Sequence, residues 1–342
     1  MPPSNNRRFY VSELLDLSKY TFARTDLNSN WDDFVNKSPQ GTIFCLSFFL
    51  AATQQKLGLW KAYKNKEWIG AIVTGESDDG HETSAIPFAI YAGLIMSPPQ
   101  KNQPATQAQT EEFRFSAAAI HHLLKTYKTI HLGLSPEIRD MRPFLWHNYG
   151  LEKEKFDLEL RYTSFVDLQD AGTNHNLHDN VIYQRANKSR RQEIRYGIEA
   201  GVTTRKIDEL DNFINFYDLT FARQGITLNR DELDSVERIC LSLKHQNLLH
   251  IFGTYTPNGT LANIAVYGID HKRAYYLFGA NHPDHRDSYG GTTGLYNSMN
   301  MLADMGHREV DLEGVNSPKR GYFKLSFGGS LTPYYRLTLT QP

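Results

Sequence analysis

LLHIFGTYTPNGTLANIAVYGIDHKRAYYLFGA, Leu248 to Ala280, decides the fold class. Runs rich in β-branched and aromatic residues read as strands, and the Pro257-Asn258-Gly259 turn joins LLHIFGTY to LANIAVYGI as a hairpin. RAYYLFGA then leads to an amphipathic helix near Thr293 to Met305, where Leu295, Met299 and Leu302 recur on one face, and on to EVDLEGVNSPKR. Strands that alternate with helices in this way predict an α/β fold built on a mixed sheet.

The same order occurs earlier in the chain. LGLWKAY and WIGAIVTGE form a strand pair, SAIPFAIYAGLIM follows, and a helix from about Glu111 to Tyr127 carries Phe113, Ile120, Leu124 and Tyr127 on one face before TIHLGLSPEIRD. Internal similarity of this kind resets the reading of the whole chain, toward two like domains in tandem. The polar stretch DLQDAGTNHNLHDN, Asp167 to Asn180, separates them, so the expected domains are residues 1–168 and 169–342. A length of 342 residues suits two cores better than one.

Composition narrows the function classes. With 40% hydrophobic and 22% charged residues the chain reads as an ordinary globular protein, and a formal net charge of -1 supplies no global field toward DNA or an anionic membrane. Any polyanion site must then be a local patch. Cys45 and Cys240 lie far apart in apolar runs and read as core thiols. MPPSNNRRFY lacks an apolar leader, and TIFCLSFFLAAT suits a buried helix, so a cytoplasmic protein with no integral membrane segment is expected. His282, Asp284, His285 and Asp287 sit together in one loop without a matching partner set, and no metal is expected. G-x-S-x-G, Walker A and H-E-x-x-H motifs do not occur, which leaves hydrolase, NTPase and zincin readings without an anchor.

Three segments carry candidate chemistry. In DLEGVNSPKRGYFKLSFGGSLTPYYRL a strand delivers Asp311 and Glu313, and Tyr322-Phe323-Lys324 precedes the Phe327-Gly328-Gly329 turn. A lysine held among aromatic side chains and paired glycines suits stabilisation of an oxyanion or a phosphate; the other reading is a solvated strand lysine. YQRANKSRRQEIRYGIEAGV is a locally basic helix, with Ser189 as its cap, Ile194 and Ile198 facing the core and Gly201 past its end. Its Lys188, Arg191 and Arg195 are candidates for phosphate contacts, against a plain solvated surface. In HRDSYGGTTGLYNSM, Gly290, Gly291 and Gly294 precede and enter a helix whose amides could face an anion, or serve only close packing.

The order of basic helix, DNFINFYDLTFARQGI, strand pair, helix ending ADMGHREVDLEGV, then GYFKLSFGG resembles the FemAB/FemX peptidyltransferases and their GNAT-superfamily relatives, most clearly over Tyr183 to Leu337. The SPQGTIFCLSFFLAA and FAIYAGLIM segments also look like that family. The resemblance implies two tandem GNAT-like domains and transfer of an acyl or aminoacyl group, from aminoacyl-tRNA or acyl-CoA as co-substrate, to an amine of a cell-envelope, sugar or peptide precursor. It implies no bound cofactor. It also implies that Lys324, after Phe323, stabilises the tetrahedral intermediate, with Arg191 and Arg195 touching phosphates.

Two departures stand out. Tyr91-Ala92-Gly93-Leu94-Ile95-Met96 lacks the family's acidic residue, and Arg286 to Gly294 does not fit the Arg/Gln-x-x-Gly-x-Gly phosphate loop. Donor and general base are left open, with Asp311, Glu313 and Tyr276 as candidate proton acceptors. Tyr322 and Phe323 are expected to shape a dry pocket around Lys324. Two rival readings are an acetyl-CoA-dependent N-acetyltransferase acting on an amino sugar or amino acid, and a non-catalytic module that binds a nucleotide-sugar or peptide.

Overall fold

The computed structural model describes residues 15–222 and 227–342. The MPPSNNRRFY opening and the RQGI that ends the DNFINFYDLTFARQGI segment lie outside the described residues. The chain forms two compact units, residues 1–161 with 334–342, and residues 162–333.

In the first unit β1 (Tyr20–Arg24), α1 (Ser29–Lys37), α2 (Ser47–Ala52), β2 (Leu57–Lys64), β3 (Glu67–Glu76), β4 (Thr83–Ser84) and β5 (Gly93–Met96) precede α3 (Ala105–Thr126), β6 (Thr129–Gly133) and the single turn α4 (Arg142–Leu145). β1, β2, β3 and β4 lie side by side in an antiparallel sheet, and β5 also pairs with β3. One face of α3 packs Phe115, Ala119, Ile120 and Leu123 against Ile72, Leu94, Ile130 and Leu132. That burial follows the 3.6-residue period read in the sequence. Arg24 pairs with the buried Glu76, which also accepts from the Tyr127 hydroxyl at 3.0 Å, so β1 and β3 are tied to the end of α3.

β7 (Asp157–Asp167) passes from the first unit into the second without a break. Then come α5 (Val181–Arg185), α6 (Lys188–Glu199), β8 (Thr203–Ile207), α7 (Asp211–Ala222), α8 (Arg230–His245), β9 (Leu249–Tyr255), β10 (Leu261–Ile269), β11 (Ala274–Asn281), α9 (Gly290–Asp304), β12 (Glu309–Asp311) and α10 (Pro318–Leu325). Strand β13 (Ser330–Thr340) returns to the first unit, where Arg336–Thr340 pairs with β6.

The expected boundary after Leu168 is thus displaced. Leu168 is buried in the core of the second unit with Val166, Ile182 and Phe327, because the polar stretch after β7 wraps that core instead of linking two bodies.

The second unit's strands run in the order β7-β12-β11-β10-β9-β8. β9, β10 and β11 form the antiparallel meander read from the sequence, with a bulge between Val266 and Tyr267. Leu295, Met299 and Leu302 of α9 are buried against this sheet. Contact is close because Gly294 lets the helix down: a Cβ there would stand 2.4 Å from Thr254 Oγ1. Helix α8 opens with a capping box, Asn229 and Glu232 each satisfying the other's backbone amide.

Candidate active site

β12 is the short parallel partner of β11, and only Ala274–Val310 and Tyr275–Asp311 are in register. Beyond Tyr275, β11 continues to Asn281, while the other strand turns away through Glu313 (φ 50) and Gly314 (φ 39). A gap therefore opens at the carboxyl ends of two parallel strands, the usual place for a ligand in an open α/β sheet. Asp311 fixes the turn, accepting from the Thr163 hydroxyl and, at 2.8 Å, from the Glu313 amide. Asn316 pins the following loop to β7, accepting from the Tyr162 amide at 2.6 Å and donating to its carbonyl at 2.9 Å.

Helix α10 carries Lys324 into this gap. GYFKLS is helical and not extended, with Pro318 at its first turn, where the missing N–H costs nothing. Side chains two apart on a helix point in nearly opposite directions, so Tyr322 is 67% exposed and does not wall the lysine as expected. Lys324 Nζ donates to the carbonyls of Leu312 and Glu313, the latter at 3.1 Å, and stands 5.1 Å from the centre of the Tyr276 ring. An ammonium has three donors, so one N–H is left for a ligand. Burial pulls its pKa down to about 8, with the Glu313 and Asp311 carboxylates opposing.

Three candidate proton acceptors surround it. Asp311 is fully buried and holds the turn, which commits its Oδ1 to structure. Burial raises the Tyr276 hydroxyl to about 12, so it is protonated at neutral pH and cannot take a proton. Glu313 is 6% exposed, and its Oε1 is buried with no hydrogen-bond partner. Burial, with Asp311 adding to it and Lys324 opposing, pushes the Glu313 carboxyl well above the usual range.

Phe323 faces inward to Arg190 of α6, a residue the sequence reading passed over. The Arg190 guanidinium lies 4.4 Å from the Phe323 ring and 5.1 Å from Phe327, donates to Ser326 Oγ at 2.7 Å and to Thr292 Oγ1, and pairs with Glu193. It thus fastens the lysine helix to the first turn of α9. Gly328 closes the assembly at φ 82, where a Cβ would meet the Arg185 carbonyl at 2.4 Å.

The basic helix differs in detail from expectation. Asn187, not Ser189, caps α6, accepting from the Arg190 amide at 2.9 Å. Ile198 is 41% exposed, because the helix meets α9 through Gly197, where a Cβ would be 1.9 Å from Thr293 Oγ1. Lys188 and Arg195 are exposed and Arg191 is half-buried; Arg195 makes a 3.6 Å pair with Glu199. α9 begins beside this helix, after Tyr289 in the left-handed region. Thr293 is the first residue whose amide bonds back, to the Tyr289 carbonyl, so the Gly290, Gly291 and Thr292 amides have no partner within the helix. Gly294 lies past that turn and serves packing, which corrects its expected phosphate role.

Residues 182–324 match the family model described as an acetyltransferase (GNAT) domain. That match lies within the second unit and spans most of it, and the class of chemistry its description names is acyl transfer. No curated protein matches the chain. Among solved structures, FemX is similar over 93% of this chain and 96% of its own, at 14% identity and a TM-score of 0.64. A tandem GNAT protein from the clavulanic acid biosynthesis pathway aligns over 93% of this chain and 98% of its own (12% identity, TM-score 0.51), and L-PGS from Bacillus licheniformis over 93% and 94% (8% identity, TM-score 0.50). At such identities the likeness is one of fold: α/β, with two GNAT-like units in tandem. Among the described residues, no helix is long and apolar enough to cross a membrane.

Proposed function

We propose that the chain moves an acyl or aminoacyl group from an activated donor, an acyl-CoA thioester or the ester of an aminoacyl-tRNA, to an amine of a cell-envelope, sugar or peptide precursor. The observation that carries this reading is Lys324, a half-buried residue whose ammonium keeps a spare N–H at the open end of β11 and β12. Such a group stabilises the oxyanion formed when an amine attacks an acyl carbon, and low dielectric strengthens it. Phe323 is a positioning residue that sets the lysine helix through Arg190. Attack is direct, without an acyl-enzyme, and catalysis is positioning plus oxyanion stabilisation.

In this reading the donor's phosphates sit at the start of α9, where the Gly290, Gly291 and Thr292 amides are unpaired within the helix; α6 meets that turn through Arg190 and Gly197, whereas Lys188, Arg191 and Arg195 lie on its other side. The description of the tandem GNAT protein from the clavulanic acid biosynthesis pathway mentions AcCoA, in line with the acyl-CoA donor.

Thermal unfolding tests the reading. A donor at one hundred times its Kd stabilises the folded state by about 2.7 kcal/mol, a rise of roughly 5–10 °C for a unit of this size. Either acetyl-CoA or alanyl-tRNA should give that rise. No rise with either donor would contradict it.

A further inference from the structure

We propose that Glu313 is the general base of the transfer, taking the proton from the acceptor amine as the amine attacks the donor; this rests on the reading of the second unit as an amine acyltransferase. Among the described residues at the gap, Glu313 is the carboxylate with an unpartnered buried oxygen. Asp311 is committed to Thr163 and to the Glu313 amide, whereas Glu313 Oε1 is buried and unpartnered. The Lys324 ammonium beside it bonds to the carbonyls of Leu312 and Glu313, and among the described residues no ion pair joins it to the Glu313 side chain. Lysine and carboxylate therefore feel each other's charge while no hydrogen bond between their side chains occupies either one.

The backbone speaks for the same role. Glu313 adopts φ 50, where a non-glycine residue is strained. An orphaned buried carboxylate oxygen adds a further cost. Glycine at this position would remove both costs, as Gly314 does at the next. What glutamate adds is a desolvated carboxylate just past the carboxyl end of β12, a better base than one in water.

The step balances as follows. The amine lone pair forms the C–N bond while Glu313 takes a proton from nitrogen, and Lys324 faces the carbonyl oxygen as it becomes negative. The bond from the acyl carbon to the donor's sulfur or oxygen then breaks, its electron pair leaves with that atom, and Glu313 returns the proton to it. Products are the amide and the free thiol or hydroxyl, with the carboxylate restored.

Three proteins test this: wild type, Glu313→Gln and Glu313→Gly, assayed with acetyl-CoA or alanyl-tRNA as donor and glucosamine or lysine as acceptor. Glu313→Gln should lower kcat by about 10²–10⁴-fold with little change in KM, and should lose the rising acid limb of the pH profile. Glu313→Gly should be comparably slow and regain at least tenfold when formate is added, a rescue that a merely structural carboxylate would not show. Because both variants relieve a buried or strained group, neither should melt below wild type. An active wild type with Glu313→Gln within threefold of it, or a Glu313→Gly variant indifferent to formate, overturns the assignment of the base alone. A wild type that forms no amide from either donor overturns the acyltransferase reading, and the inference falls with it.

Discussion

Arg190→Ala removes the cation on which the lysine helix hangs. The side chain is 5% exposed, and its guanidinium bonds to Ser326, Thr292 and Glu193 while lying over Phe323 and Phe327. Removing one member of a buried charged pair costs about 3–5 kcal/mol. The Glu193 side chain is 41% exposed and regains water once its partner is gone, which puts the cost at the low end, about 3 kcal/mol. For a unit spanning residues 162–333 that corresponds to a fall of roughly 6–12 °C in Tm. Arg191→Ala, one position along, should stay within about 0.5 kcal/mol of wild type, and Arg190→Lys should fall between the two, since it keeps the charge and loses the fork. Thermal unfolding by circular dichroism, repeated at two scan rates, gives the comparison. Equal Tm values for Arg190→Ala and Arg191→Ala would refute the view that Arg190 holds α10 to α9.

Other outcomes follow from the same geometry. Gly197→Ala places a Cβ 1.9 Å from Thr293 Oγ1, so overpacking of about 1–3 kcal/mol should outweigh the roughly 1 kcal/mol gained in helix propensity. Denaturant melts should show a net loss, and Thr293→Ala in the same chain should recover much of it. With the Lys324 ammonium lowered to about 8 by burial, turnover that needs the charged form should fall tenfold per pH unit above about 8. Lys324→Arg, which stays charged, should abolish that alkaline limb whatever its absolute rate; an unchanged limb would assign it to another group.

The sequence made the frame legible where periodicity was long. The meander of β9 to β11 and the faces of α3 and α9 follow from alternation and 3.6-residue spacing, and their apolar residues are the buried ones. The site was legible in its parts but not in its contacts. Lys324 stood out by its aromatic neighbours, yet the helix that carries it gave no signal because the eight residues Pro318–Leu325 are too few to show a period; Ser317-Pro318 was the available sign of a helix start. Arg190 hid among four other basic residues. Its burial is implied by Ile194, four residues on and on the same face, and that face continues to Gly197 and not to Ile198. Glu313 read as the end of a strand, and no local pattern announces two successive left-handed residues when the first is not glycine. The domain boundary was misread because a polar stretch looks like a linker whether it joins two bodies or wraps one.

Amide formation is the most direct measure of the account. Purified protein is incubated with labelled acetyl-CoA or labelled alanyl-tRNA and an amine acceptor, and the acceptor's mass and label are followed for wild type and Lys324→Ala. The account predicts an amide from one of the two donors, formed about 10²–10³-fold more slowly by the variant because one oxyanion donor is gone. Amide formed equally fast by Lys324→Ala, or no amide from either donor, would contradict it.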